Sequence, residues 1–326
     1  MKKRFNKSIN YFISFTVFFQ SSTSAWSTLL RPEETPQLTA SAIREMPSET
    51  NRKIIALQNS IETILDRMNT LSVNKRIVVI GPTGSGKTTL FNALSGVELN
   101  IHQGSAGSYL DTKNPLPNFE IARVNNLGTK IPTCGVYEED NLETNKIAWW
   151  DCPGFMDPRG SEADIVNAFA IDRLFQNAII KVILVVEQSV LEAERGGNFF
   201  KLLNRVSNLF SDQDQLKDCL TLIITKKDRG NPCGTLSDYV KNEEKNRSES
   251  LDDKSYAILN FLSTNNDRIA CFFYPRKDSG AYQFNKEAII NSVRQSRFIE
   301  NPSIKISVDT NSGELVKNFA DEINNN

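Results

Sequence analysis

The sequence predicts an α/β fold of three layers, in which helices cover both faces of a mostly parallel sheet, with an amphipathic helix ahead of it. Three observations lead there. Apolar, strand-like runs alternate with helical patterns from Arg76 to Val293. The run Ile179 to Val186 reads I-I-K-V-I-L-V-V, an almost unbroken apolar stretch of the sort found when a strand is covered on both faces. Three short polar motifs each stand directly after an apolar run, at the strand ends where open α/β sheets take their ligands.

The elements follow in order. Lys2, Lys3, Arg4 and Lys7 precede an apolar core, Tyr11 to Phe19, and small residues through Ser24 and Ala25, so residues 1–25 read as a signal-peptide-like leader. The core is too short for a transmembrane span. Residues 26–50 contain Pro and Glu without periodicity and read as a linker. Ile54, Leu57, Ile61, Ile64, Leu65, Met68 and Leu71 recur at intervals of three and four and form one apolar stripe on a helix within residues 51–74. The main domain, 75–300, is expected to run strand Arg76 to Ile80, helix Thr88 to Leu94, a strand at Gly135 to Glu138, and strand Ile147 to Trp150. It continues with helix Ala163 to Phe175, strand Ile179 to Val186, helix Leu191 to Phe210, strand Leu220 to Ile224, helix Leu251 to Leu262, strand Arg268 to Tyr274 and helix Lys286 to Val293. Between Ser95 and Asn118 no periodicity is visible, and the segment reads as a mobile insertion. Residues 301–326 form a C-terminal extension without a motif.

The first motif is Gly81-Pro82-Thr83-Gly84-Ser85-Gly86-Lys87-Thr88, a match to G-x-x-x-x-G-K-[ST] between a strand and a helix. A triphosphate presents many acceptor oxygens and several negative charges. Gly81, Gly84 and Gly86 let the backbone turn and bring its N–H groups close, and the start of the helix adds the positive end of its dipole. Lys87 is expected to reach the β and γ oxygens, Thr88 to ligate magnesium, and Pro82, Thr83, Ser85 and Thr89 to complete the nucleotide-binding set. The second motif, Asp151-Cys152-Pro153-Gly154, puts a carboxylate at a strand end for the metal and a glycine N–H for the γ-phosphate. The third, Thr225-Lys226-Lys227-Asp228, follows the apolar run Leu220 to Ile224.

Taken together, these three motifs resemble the first, third and fourth sequence boxes of the TRAFAC-class P-loop GTPases. The T-K-x-D form and the Thr133-Cys134 pair are similar to the branch holding septins and immunity-associated GTPases. The resemblance covers about Arg76 to Arg276. It implies a G domain, GTP and GDP as ligands, and Mg2+ as cofactor held by Thr88, Asp151 and a second-box threonine. It also implies that Asp228 accepts hydrogen bonds from guanine N1 and N2 while the stem of Lys226 covers the ring. Adenine lacks that donor pair, so a buried Asp228 would be left unmatched against ATP. The second-box threonine is Thr133 or Thr129. Thr133 is preferred because it adjoins Cys134 at the start of a strand, and it joins Lys87 as a candidate catalytic residue. The fifth box departs from the family pattern at Tyr274-Pro275-Arg276.

Many small GTPases place a glutamine after the D-x-x-G glycine to orient water; here Phe155 stands in that place. The expected function is therefore a slow or dimer-activated, Mg-dependent GTPase switch, with Arg195 and Arg159 as candidates for charge supplied in trans. The alternative is a GTP-gated dimerisation or scaffold module with negligible turnover, paired through the nucleotide face or through the helix at 54–71. An ATPase of another P-loop class would require the third motif to be chance.

With 38 Lys and Arg against 39 Asp and Glu, the net charge of -1 gives no footprint for nucleic acid. The single histidine, His102, reads as a solvated loop residue. Cys134, Cys152, Cys219, Cys233 and Cys271 are odd in number and widely spaced, so neither a disulfide framework nor a zinc site is expected. Cysteine usage and GTP both suit a cytosol, whereas the leader suits export. Either the leader is a false positive or the protein acts in the cytosol of another cell.

Overall fold

A computed structural model of the chain describes residues 48–69, 73–104, 107–117, 119, 121, 133–138, 146–154, 160–227, 236, 251–273, 282–305, 311–315 and 317. The chain divides into two compact units. One is formed by residues 73–156 and 174–304; the other by 1–72, 157–173 and 305–326.

The first unit carries the sheet. Its elements are β1 (Lys75–Ile80), α2 (Lys87–Leu94), β2 (Asn100–Gly104), β3 (Gly107–Asp111), β4 (Thr133–Glu138), β5 (Lys146–Asp151), β6 (Ile179–Glu187), α4 (Gln188–Glu192), α5 (Gly197–Leu209), α6 (Gln213–Cys219), β7 (Leu220–Lys227), α7 (Asp253–Thr264), β8 (Ile269–Phe273), α8 (Lys286–Gln295) and β9 (Ile299–Glu300). Strand order is β4-β5-β1-β6-β7-β8. β5, β1, β6, β7 and β8 are mutually parallel, while edge strand β4 and the short β9 run antiparallel to their partners. This is the α/β architecture with a mostly parallel sheet that the strand–helix alternation predicts.

Residues of both parities on β6, Val182 through Val186, are fully buried, so the apolar run does report two covered faces. On one face Ile77, Val79, Trp149, Ile183, Val185 and Ile223 pack with Leu90, Phe91 and Leu94 of α2 and Ile289, Ile290 and Val293 of α8. The chain leaves β1 at the point where strand order reverses, with β5 on one side and β6 on the other. The β1–α2 loop therefore stands at the carboxyl edge of the sheet at its switch point, where open α/β sheets take their ligands.

Local signals explain the ends of several elements. The single helix expected from Leu191 to Phe210 is broken into α4, a 3-10 turn at Ala193–Gly196, and α5, because Gly196 takes a left-handed conformation at φ 93°. The helix α6 was missed; Asp212 caps it by accepting from Asp214 N. Asp252 caps α7 in the same way, accepting from Ser255 N at 2.7 Å, which puts the start of that helix two residues beyond the expected Leu251. Burial pushes the Asp252 carboxyl up, but hydrogen bonds from Ser255 and Asn208 and the nearby Lys254 outweigh it, so its net shift is downward.

The region expected to be a mobile insertion is structured in its described part. β2 and β3 form an antiparallel hairpin, with His102 stacked on Tyr109 across the strands. Further on, the buried side chain of Asn92 donates to Thr88 O and Phe119 O and accepts from Leu116 N, clamping Leu116 and Phe119 to α2. Phe119 stacks on Phe91 at 4.2 Å. The hairpin lacks alternating hydrophobicity because it is a two-stranded ribbon, and the Asn92 clamp leaves no periodic trace.

Cysteine usage also needs correction. Cys271 on β8 is disulfide-bonded, whereas Cys152 and Cys219 are free and buried. Burial pushes the Cys219 thiol far above its ordinary value, as for an inert core cysteine.

The second unit contains α1 (Ser48–Asn69) and residues 161–173 of α3 (Ser161–Phe175). Lys53 and Glu162 pair at 3.5 Å between these helices. In α1, Leu57, Ile61 and Ile64 are buried to 1% exposure or less within the single chain, while Ile55 is exposed. No helix among the described residues is long and apolar enough to cross a membrane.

Candidate phosphate-binding site

The glycine-rich loop is built as its residue types require. Gly81, Gly84 and Gly86 have φ of 151°, 80° and 86°, values that side chains with a Cβ rarely adopt. At Gly81 the reason is also steric: a β-carbon would overlap the carbonyl oxygen of Val185 on β6 and stand 3.2 Å from Ser85 Oγ. Gly86 is the N-cap of α2, so the first backbone N–H groups of that helix face the loop interior. Lys87, 6% exposed, donates from Nζ to Gly81 O at 3.1 Å and Pro82 O at 2.8 Å, which holds the ammonium over the mouth of the loop.

The D-x-x-G segment closes against this loop. Thr88 Oγ1 donates to Asp151 Oδ2 at 2.5 Å, bringing together two of the three expected metal ligands. The backbone route is the parallel β1–β5 pairing, with Val79 opposite Asp151 and Cys152 N donating to Val79 O. Gly154 is buried, and a β-carbon there would overlap the backbone nitrogen, Cα and hydroxyl of Thr83. The expected third ligand, Thr133, is placed by its backbone: it opens β4 and stands in register opposite Asp151.

The two loop hydroxyls, Thr83 Oγ1 and Ser85 Oγ, are buried with no hydrogen-bond partner among the described residues. Buried hydroxyls in that state carry a desolvation cost, and clustered donors beside backbone N–H groups and an ammonium fit an anion rich in acceptors. Hard oxygen donors at Thr88 and Asp151 fit magnesium.

The third motif reaches the same loop by a different route. Thr225, fully buried at the end of β7, donates from Oγ1 to Ser85 O at 2.6 Å, so its hydroxyl braces the glycine-rich loop from behind. The β7–β8 register slips between Thr225 and Lys227, leaving Lys226 as the extra residue with φ 51°. That bulge turns Lys226 out and Lys227 in. Lys226 is 42% exposed and pairs through Nζ with Glu187 Oε2 at 2.7 Å, whereas Lys227 is buried. Neither the Thr225 brace nor the Glu187 partner was anticipated; a hydroxyl inside an apolar strand end is the only trace of the former.

Asp228, Thr129, Phe155, Arg159 and Tyr274 to Arg276 lie outside the described residues, as do residues 1–47. Arg195 falls in the 3-10 turn after α4.

No protein-family model and no curated protein matches the sequence. Among solved structures, the chain is similar to a dimerization-deficient mutant of Toc33 from Arabidopsis thaliana, at 15% identity and a TM-score of 0.35, over 87% of this chain and 96% of that one. It is similar to a variant of SsGBP at 15% identity and a TM-score of 0.29, over 71% and 59%. The cytosolic domain of the FeoB iron transporter of T. maritima in its GDP form gives 14% identity and a TM-score of 0.24, over 76% and 98%.

Proposed function

We propose that the chain is a magnesium-dependent GTP-binding switch that hydrolyses GTP slowly. The observation that carries the reading is the convergence of Lys87, Thr88, Asp151 and Gly154 on one glycine-rich loop in which the Thr83 and Ser85 hydroxyls have no hydrogen-bond partner among the described residues. The loop amides and the α2 N-terminus bind the phosphates, and Lys87 exchanges loop carbonyls for phosphate oxygens. Magnesium, held by Thr88 and Asp151 with Thr133 as the third ligand, would neutralise charge on the β and γ phosphates. Gly154 follows the γ-phosphate and moves when it leaves, so that two segments order with GTP and relax with GDP.

Base choice is assigned to Asp228 with the stem of Lys226. Phe155 in the place of a water-orienting glutamine favours slow turnover. A GTP-gated dimer formed through the nucleotide face is the second reading, favoured by the same residue; burial of Leu57, Ile61 and Ile64 within one chain speaks against pairing through the α1 stripe.

The test is competition against a fluorescent GTP analogue on the full chain, with phosphate release and mass followed over a wide protein concentration range. GTP and GDP should displace the probe at least about a hundredfold better than ATP, and Asp228→Asn should erase that preference. Equal displacement by ATP overturns the assignment of the base. Turnover rising steeply with concentration places catalysis across a dimer; association without phosphate release supports the second reading.

A further inference from the structure

We propose that Thr83 reads the γ-phosphate, its hydroxyl being the donor that couples the glycine-rich loop to the D-x-x-G segment when a triphosphate is bound. This rests on the nucleotide reading above and goes beyond it, since that motif leaves the third position of the loop free to be any residue.

Two observations single out this side chain. Its Oγ1 is buried without a hydrogen-bond partner among the described residues. It also lies against Gly154 so closely that no β-carbon fits between them. A hydroxyl offers one donor and two lone pairs, and desolvating it unmatched is unfavourable, so the site is matched only when a further group arrives. The neighbours specify that group. Lys87 holds its ammonium on the carbonyls of Gly81 and Pro82, flanking the same turn, and the N-terminus of α2 adds positive potential. An anionic acceptor is therefore favoured there and a cation is not.

The position against Gly154 decides which phosphate. Gly86 and Lys87 open α2 on one side of the loop, whereas Thr83 faces the segment that runs on from Asp151. Gly154 is the glycine assigned to the outermost phosphate, and a hydroxyl packed on it meets that same group. Loss of the γ-phosphate would then leave Thr83 unmatched and remove the group that ties its hydroxyl and Gly154 together, leaving packing alone between the two segments.

Two variants of the full chain split packing from hydrogen bonding. Thr83→Val keeps the shape and removes the hydroxyl; Thr83→Ser keeps the hydroxyl and removes the methyl. Affinities for GTPγS and for GDP are measured by equilibrium titration with magnesium, and melting is followed without nucleotide. Thr83→Val should bind GTPγS about tenfold more weakly, bind GDP within about twofold of wild type, and melt at the same temperature or higher. Thr83→Ser should keep the wild-type ratio. An unchanged GTPγS-to-GDP ratio in Thr83→Val overturns the proposal, as does equal weakening of both nucleotides or a Thr83→Ser variant as impaired as the valine. If the wild type binds neither nucleotide, the broader reading fails and this role falls with it; if it binds both and only the ratio test fails, the broader reading stands.

Discussion

The two ends of the candidate site, the one proposed to hold phosphates and the one proposed to hold the base, are built from different materials. Around Gly81 and Gly154 the chain packs closely against backbone, of Val185 and of Thr83, and a single added carbon at either position has no room. Around Thr225, Lys226 and Glu187 the contacts are made by side chains: a hydroxyl on a carbonyl at 2.6 Å and an ion pair at 2.7 Å that is open to water. Backbone packing leaves no slack, whereas side-chain contacts can be lost one at a time. Substitutions at the first end should act as all-or-none and those at the second should be graded.

The sharpest way to break that contrast is Gly81→Ala. The new carbon would collide with the carbonyl oxygen of Val185, which cannot shift without disturbing the centre of the sheet, and φ 151° is strained for alanine. A loss of about 3 kcal/mol or more is expected from overpacking and backbone strain together. Chemical denaturation measures it. A variant within about 1 kcal/mol of wild type would mean that β6 gives way and that the phosphate end is softer than its packing indicates.

Thr225→Val tests the link between the two ends. Valine keeps the volume at this fully buried position and removes the donor to Ser85 O. A lost buried hydrogen bond with its acceptor left behind costs about 1–2 kcal/mol. Because the bond holds the glycine-rich loop, GTP and GDP affinity should fall together by about tenfold. If stability drops with no change in affinity, Thr225 belongs to the core and the two ends are independent.

This division also explains what the sequence made legible. The mostly parallel α/β sheet, the burial of β6 on both faces, and the position of Gly81 to Thr88 between strand and helix follow from period and motif, because those signals are local. Thr88 meeting Asp151 was expected from chemistry, although 63 residues separate them. The Thr225 brace, the Lys226 bulge and the Asn92 clamp were not legible, since each depends on where two distant segments meet. The break between α4 and α5 was legible in principle: Gly196-Gly197 interrupts an apolar periodicity that otherwise runs through it. The disulfide at Cys271 was missed because wide spacing and an odd count say nothing about proximity in a fold.

The smallest expected effect is at the ion pair. Glu187 ends β6, and the bulge presents Lys226 to it. Both side chains are partly exposed, at 27% and 42%, so the pair is screened and contributes below about 1 kcal/mol. Its use is orientation, because an anchored ammonium fixes the four-carbon stem assigned to cover the purine. In Glu187→Gln that stem regains rotamers, and GTP and GDP should each bind about two- to fivefold more weakly, with no change in their ratio. Raising the salt to about 0.5 M should weaken wild-type binding toward that of the variant, since the screening length shrinks to a few ångströms. Should the variant lose more than about tenfold, or should salt leave the difference intact, Lys226 is held by more than an exposed pair and the base end is as rigid as the loop.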